Sequence, residues 1–143
     1  MDLNSIASAA TAVGVLIAAW QIWQSRKLAS ASFEDSYDQQ YRELMYRVPV
    51  DALLGKQLNG HSHSEAREAI YNYLDLCNEQ VYQRSKRRVS KARWAEWRSG
   101  IKDNLEKPLI SGIWCEVKSK VPGSFSFLER LEQNEFESDP AHW

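Results

Sequence analysis

From Leu3 to Ser25 no side chain carries a charge, a run of 23 residues. No other feature of the chain limits its fold so strongly. At about 1.5 Å per residue a helix of that length covers about 34 Å, and the hydrocarbon core of a bilayer is about 30 Å thick. Trp20 and Trp23 stand at the end of the run, where the aromatic belt of a membrane helix belongs, and Arg26 and Lys27 follow at once. The other end offers Asp2 and no basic side chain. Excess Lys and Arg marks the cytoplasmic side. The sequence therefore predicts a single-pass anchor over 1–27, N-terminus out, with the remainder on the cytoplasmic side of the inner membrane.

Three other readings compete. A secretory signal would use "LASAS" (28–32) as its cleavage site, but Asp2 is the wrong charge for its first region, and Arg26 and Lys27 fall before the cut. A buried core helix is favoured by the many Ala residues and by Ser5, Ser8, Thr11 and Gln21, which dilute the hydrophobicity. A helix lying flat in the interface needs a charged face, and none exists. The anchor reading accounts best for both flanks. Ala10, Gly14 and Ala18 recur every four residues and share one helix face, with Ala7 and Thr11 beside it. Small residues let membrane helices approach closely, so self-association into a homo-oligomer is expected there.

Beyond the anchor, 28–132 reads as a helical cytosolic domain and 133–143 as an acidic flexible tail. Phe33, Tyr37, Tyr41, Leu44, Met45 and Val48 follow helical spacing up to Pro49. A short helix or turn around Leu53 and Leu54 leads into a loop with Gly55, Asn59 and Gly60. Ser62 and Glu65 form a capping-box pattern for the next helix, whose stripe is Ala66, Ala69, Ile70, Tyr73, Leu74, Cys77 and Val81. Ser90 is placed to cap a helix carrying Trp94, Trp97, Ile101 and Leu105. Pro108 opens another with Leu109, Ile110, Ile113, Trp114 and Val117. Ser126 and Glu129 repeat the capping-box spacing before Phe127, Leu128 and Leu131. No stretch alternates like a strand, so the expected class is all-α. Cys77 and Cys115 have no CxxC spacing, sit in apolar stripes and read as small core residues.

The segments "ATAVGVLIAAWQIWQSRKLASASFEDSYDQQYREL", "YNYLDLCNEQVY", "WAEWRSGIKDNL" and "PGSF" together resemble a group of short bacterial single-pass membrane proteins. That resemblance implies a transmembrane helix joined to a small cytosolic helical bundle. It implies no activity and no catalytic residues.

The chemistry-bearing residues are few. His61 and His63 flank Ser62 in a loop, and the third histidine is His142; a metal site wants three or four ligands, so a surface loop is expected and no metal or cofactor. Asp75 and Glu79 lie one helical turn apart, with Tyr71, Asn78 and Tyr82 assigned to the same side. Such a pair can do acid–base work, but every amphipathic helix has a polar face. This stripe is the expected wall of any polar groove. No nucleophile elbow, phosphate loop or zinc-hydrolase motif occurs, so no catalytic residue is assigned.

Charge is uneven although the net charge is −1: residues 84–107 hold nine Lys or Arg against three acids, and 129–143 hold one Arg against five. Arg84, Lys86, Arg87, Arg88, Lys91 and Arg93 crowd into ten residues without an acid. Anionic headgroups or a small anionic ligand would suit them. So would plain pairing with the acidic tail. Nucleic acid is disfavoured, because the chain is neutral overall and Trp94 and Trp97 are spaced for a core. The expected role is non-enzymatic: a membrane-tethered, self-associating helical module that senses or binds a partner. The alternative is an effector that disrupts membranes, as in defence against phage, when a small anionic ligand such as a nucleotide signal binds.

Overall fold

The structure is a computed structural model. It describes residues 2–143, with the backbone alone for 3–6. It is all-α, and no strand occurs among the described residues. The helices are α1 (Leu3–Met45), α2 (Val50–Leu53), α3 (Gly60–Ser85), α4 (Lys91–Leu105), α5 (Pro108–Lys120) and α6 (Ser126–Gln133), followed by a 3-10 turn at Pro140–His142. Two compact units divide the chain at 33/34, inside α1. The sequence reading places that boundary at 27/28.

The first unit is helical to Phe33. Every residue from Ala7 to Trp23 is exposed, including Leu16 at 70% and Trp20 at 59%. Its apolar residues are spread around the helix instead of gathering on one face. The Thr11 hydroxyl donates to the Ala7 carbonyl oxygen at 2.9 Å, so this polar group is satisfied within the helix. Lys27 Nζ lies 5.3 Å from the Trp23 ring centroid. Among the described residues no helix is long and apolar enough to cross a membrane. Ala, Ser8, Thr11 and Gln21 are the residues that dilute the segment, while Ser5 and the start of the uncharged run at Leu3 lie outside the described side chains.

The second unit, 34–143, is built on α3, which packs against α4, α5, α6 and the terminal 3-10 turn. Ile70, Tyr73, Leu74, Cys77 and Val81 of α3 are buried as their helical spacing predicts, and Trp94, Trp97, Ile113 and Trp114 are buried with them. Cys115 is exposed. Its neighbour Trp114 takes the core-facing position, and the adjacent residue of a helix turns away by about 100°.

Caps explain most boundaries, though not always the expected ones. The Asn59 side chain accepts from Ser62 N at 2.9 Å, so α3 begins before the Ser62 box. Ser90 Oγ accepts from Arg93 N at 3.2 Å and starts α4 as expected. In a capping box the third helical residue is a Glu or Gln that reaches back to the cap N–H. Here that position is Arg93, and Glu34 of α1 replaces it, accepting from Ser90 N at 2.7 Å. Likewise α6 has no cap of its own. Asn78 of α3 accepts from Phe127 N at 3.0 Å and Leu128 N at 3.1 Å. α3 ends with Arg87 in the left-handed region (φ 58°). There Arg87 N reaches Arg84 O, and Arg88 N reaches Gln83 O at 3.1 Å, a Schellman closure.

The acidic tail is packed, contrary to the flexible segment expected over 133–143. Pro140 and Ala141 are buried. Trp143 Nε1 donates to Ser138 Oγ at 3.1 Å, and Arg130 Cζ lies 4.4 Å from the Trp143 ring centroid. The anchoring contact is ionic. Arg84 donates to both oxygens of Asp139, at 2.8 and 2.6 Å.

Candidate functional site

The second unit holds two grooves beside the last turns of α1. The first, about 330 Å³, lies between Tyr37, Gln40, Glu43, Leu44 and Arg47 on one side and Asn72, Asp75, Leu76 and Glu79 of α3 on the other. Glu79 accepts from Gln83 Nε2. Burial, and then the charge of Glu79, push the Tyr37 phenol above its ordinary value. The expected polar stripe thus splits. Asp75 and Glu79 line this groove. Tyr71, Asn78 and Tyr82 serve the α6 contact: Tyr71 meets Phe125 edge-on at 5.5 Å, and Tyr82 meets Phe127 at 5.2 Å. The cause is angular, since positions 71, 78 and 82 of a helix share a face and 75 and 79 lie to one side of it. Among the described residues no group of three His, Cys, Asp or Glu is placed to hold a metal ion. His61 reaches only Glu65, at 3.4 Å.

The second groove, about 400 Å³, is lined by Asp38, Tyr41 and Arg42 of α1, Tyr73 and Gln80 of α3, and Arg93, Glu96, Trp97, Gly100, Ile101 and Asn104 of α4. Trp97 Nε1 donates to Asp38 at 2.8 Å. Asn104 Nδ2 donates to the Tyr73 hydroxyl at 2.9 Å and the Tyr41 hydroxyl at 3.4 Å, which holds those two rings 5.8 Å apart. Burial keeps Tyr73 protonated, well above its ordinary value. Burial also pushes the Cys77 thiol up to about 12, so it is a core residue and no thiolate. The sequence reading passes over Gln80 and Asn104. Both are polar residues in buried registers of their helices, Gln80 between Cys77 and Arg84 and Asn104 between Ile101 and Leu105. That mismatch of polarity and register is the signal that could have found them.

Among the described residues two of the six cations of the basic junction, Arg84 and Arg93, are paired with carboxylates. Arg84 is 8% exposed and spends its guanidinium on Asp139 and, at 2.7 Å, on the Val89 carbonyl. Arg93 stands among four carboxylates: Asp38 and Glu96 at 3.0 Å, Glu34 and Asp35 at 3.7 Å. Neither is free to receive an anion. Lys86 lies over the Tyr82 ring at 5.3 Å. Arg87 Nε donates to Ala141 O at 3.3 Å, and Arg88 Nη1 to Gln83 Oε1 at 3.2 Å. Lys86, Arg87, Arg88 and Lys91 remain exposed. Ala10, Gly14 and Ala18 lie in the first unit, where a Cβ added at Gly14 meets nothing within 4 Å.

Comparison with protein-family models, with curated proteins and with solved structures yields no match.

Proposed function

We propose that this chain is a non-enzymatic, membrane-tethered helical interaction module, held at the inner membrane by its first unit, with residues 34–143 on the cytoplasmic side. One observation carries the reading. From Ala7 to Trp23 the helix is exposed on all sides, with Val13, Val15, Leu16, Ile17, Trp20, Ile22 and Trp23 among its surface side chains. A helix that is apolar all round is one that something must cover. The uncharged run, the tryptophans at its end and Arg26 and Lys27 beyond them suit lipid as that cover.

The diluted hydropathy, which falls short of what a spanning helix needs, favours spans that associate. Ala10, Gly14 and Ala18 leave one face open to a second copy, and small and hydroxyl residues are what membrane helices bury against each other. The test uses the full chain in its host membrane. A reporter fused after Trp143 should behave as cytoplasmic, and chemical crosslinking should give dimers or higher species that Gly14→Leu depletes. A periplasmic reporter contradicts the topology. Crosslinking unchanged by Gly14→Leu contradicts assembly through this face.

A further inference from the structure

Arg84 and Arg93 are spent on carboxylates, but the other four cations of the α3–α4 junction are not. Lys86, Arg87, Arg88 and Lys91 are exposed and make no ion pair among the described residues. They gather where α3 stops and α4 starts. Lys86 lies over the Tyr82 ring, which meets Phe127 of α6. Arg87 reaches Ala141 of the terminal 3-10 turn, Arg88 reaches Gln83 of α3, and Lys91 opens α4. Asp35 and Glu96, exposed acids beside the junction, are turned to Arg93.

Local stability does not ask for these charges. The first turn of α4 has no acid and carries Lys91 and Arg93, where the helix macrodipole opposes positive charge. Arg87 takes a left-handed position, φ 58°, that glycine or asparagine fills more easily. Four like charges so close also repel one another, and an anionic surface outside the chain relieves that repulsion.

The occupant follows from where the chain enters the second unit. Glu34 is the first residue of that unit and accepts from Ser90 N at 2.7 Å, inside this junction. Trp23, at the end of the apolar segment, stands eleven residues earlier, and eleven residues reach no more than about 40 Å by any path. A membrane that holds the first unit therefore offers its headgroups to the junction at high effective concentration. The sign fits as well, because the cytoplasmic leaflet is anionic and each basic residue at such a surface favours contact about fivefold. We propose that Lys86, Arg87, Arg88 and Lys91 form a second membrane contact, docking this end of the helical unit on the phosphate-bearing headgroups of anionic lipids.

The inference builds on the membrane-tethered reading, yet the two fail separately. The full-length chain carries Ala92→Cys and Cys115→Ala, so that one exposed thiol takes a dye. It is reconstituted into vesicles of phosphatidylcholine alone, or with about one third phosphatidylglycerol, each with a trace of acceptor-labelled headgroup. The chain should float with both. Energy transfer from residue 92 to the headgroups should be severalfold greater in the anionic vesicles, and high salt should erase the difference. Lys86→Gln, Arg87→Asn, Arg88→Gln and Lys91→Gln together should remove it, whereas Arg87→Lys with Arg88→Lys should keep it. Should the fourfold variant melt early, Lys86→Gln with Lys91→Gln carries the test and should cut the difference. Equal transfer in the two lipids, a difference that survives high salt, or one that the charge-removing substitutions leave intact overturns the proposal. Calorimetric binding of inorganic phosphate together with equal transfer assigns a free anion instead and overturns it too. A chain that leaves the phosphatidylcholine vesicles refutes the tether alone. Flotation with anionic vesicles that the substitutions abolish then still supports the junction, and no such flotation overturns it.

Discussion

Asp139 and Asn78 each hold a distant segment through a side chain whose loss would leave buried groups without a partner. The Arg84 guanidinium, hydrogen-bonded to Asp139, holds its carboxyl down at about 2 against an ordinary 3.8, with burial opposing and the Ala141 N–H assisting. A carboxyl lowered on folding stabilises the fold above its ordinary value and loses that contribution as pH falls through its folded value. Asp139→Asn should thus cost about 2–4 kcal/mol at neutral pH, since it strands a buried guanidinium. In urea melts the gap to the natural protein should narrow between pH 3.8 and about 2. A gap that is the same at pH 7 and pH 2 would show that the pair does not carry it. Asn78→Ala removes the acceptor for two N–H groups at the start of α6, and a lost cap of this kind costs about 1–2 kcal/mol. Asn78→Asp keeps an acceptor there and should melt close to the natural protein. Equal losses in both variants would mean that the cap is not the cause.

Among the elements, α4 and α5 follow their sequence patterns most closely. Ser90, Pro108 and the Trp94/Trp97/Ile101 spacing act locally, so the chain itself reports them. The start of α6 rests on a contact that its local sequence does not show, whereas α3 is capped locally by Asn59, three residues before Ser62, a second local candidate that the Ser62 box obscures. Cap chemistry is visible in sequence when donor and acceptor are neighbours, as in a Ser-x-x-Glu box. Here the acceptor for α6 comes from Asn78, 49 residues earlier, and the carboxylate supporting α4 comes from Glu34, 56 residues earlier. At the basic junction the pairing with the acidic tail that the sequence offers is present as Arg84 to Asp139, whereas the α1 carboxylates around Arg93 are distant in sequence and not visible in the cluster itself. Gly100 belongs to this scale too. It lies inside α4 with open space at its Cβ position, so no packing demand offsets its entropic cost. Gly100→Ala should raise stability by about 0.5–1 kcal/mol, read as a higher urea midpoint with an unchanged slope. A lower midpoint would mean that the missing side chain is a packing requirement after all.

At the scale of the whole molecule the chain contains two kinds of surface. Residues 34–143 bury Tyr73, Trp94, Trp97 and Trp114 in one core, and their 16 Lys and Arg are outnumbered by 18 Asp and Glu. Residues 7–23 do the opposite and leave their apolar side chains outward. The all-α class and the division into a leading helix and a helical domain were legible from composition and periodicity. What covers the leading helix was not, because hydropathy averages over all faces and cannot separate a lipid neighbour from a helix neighbour. The most direct measurement is alkaline carbonate extraction of membranes from cells making the full-length chain at native level, followed by detergent solubilisation of the pellet. The account predicts that the chain stays in the pellet through carbonate and leaves it only with detergent. A chain released by carbonate, or found in the first soluble fraction, would contradict membrane tethering by the first unit.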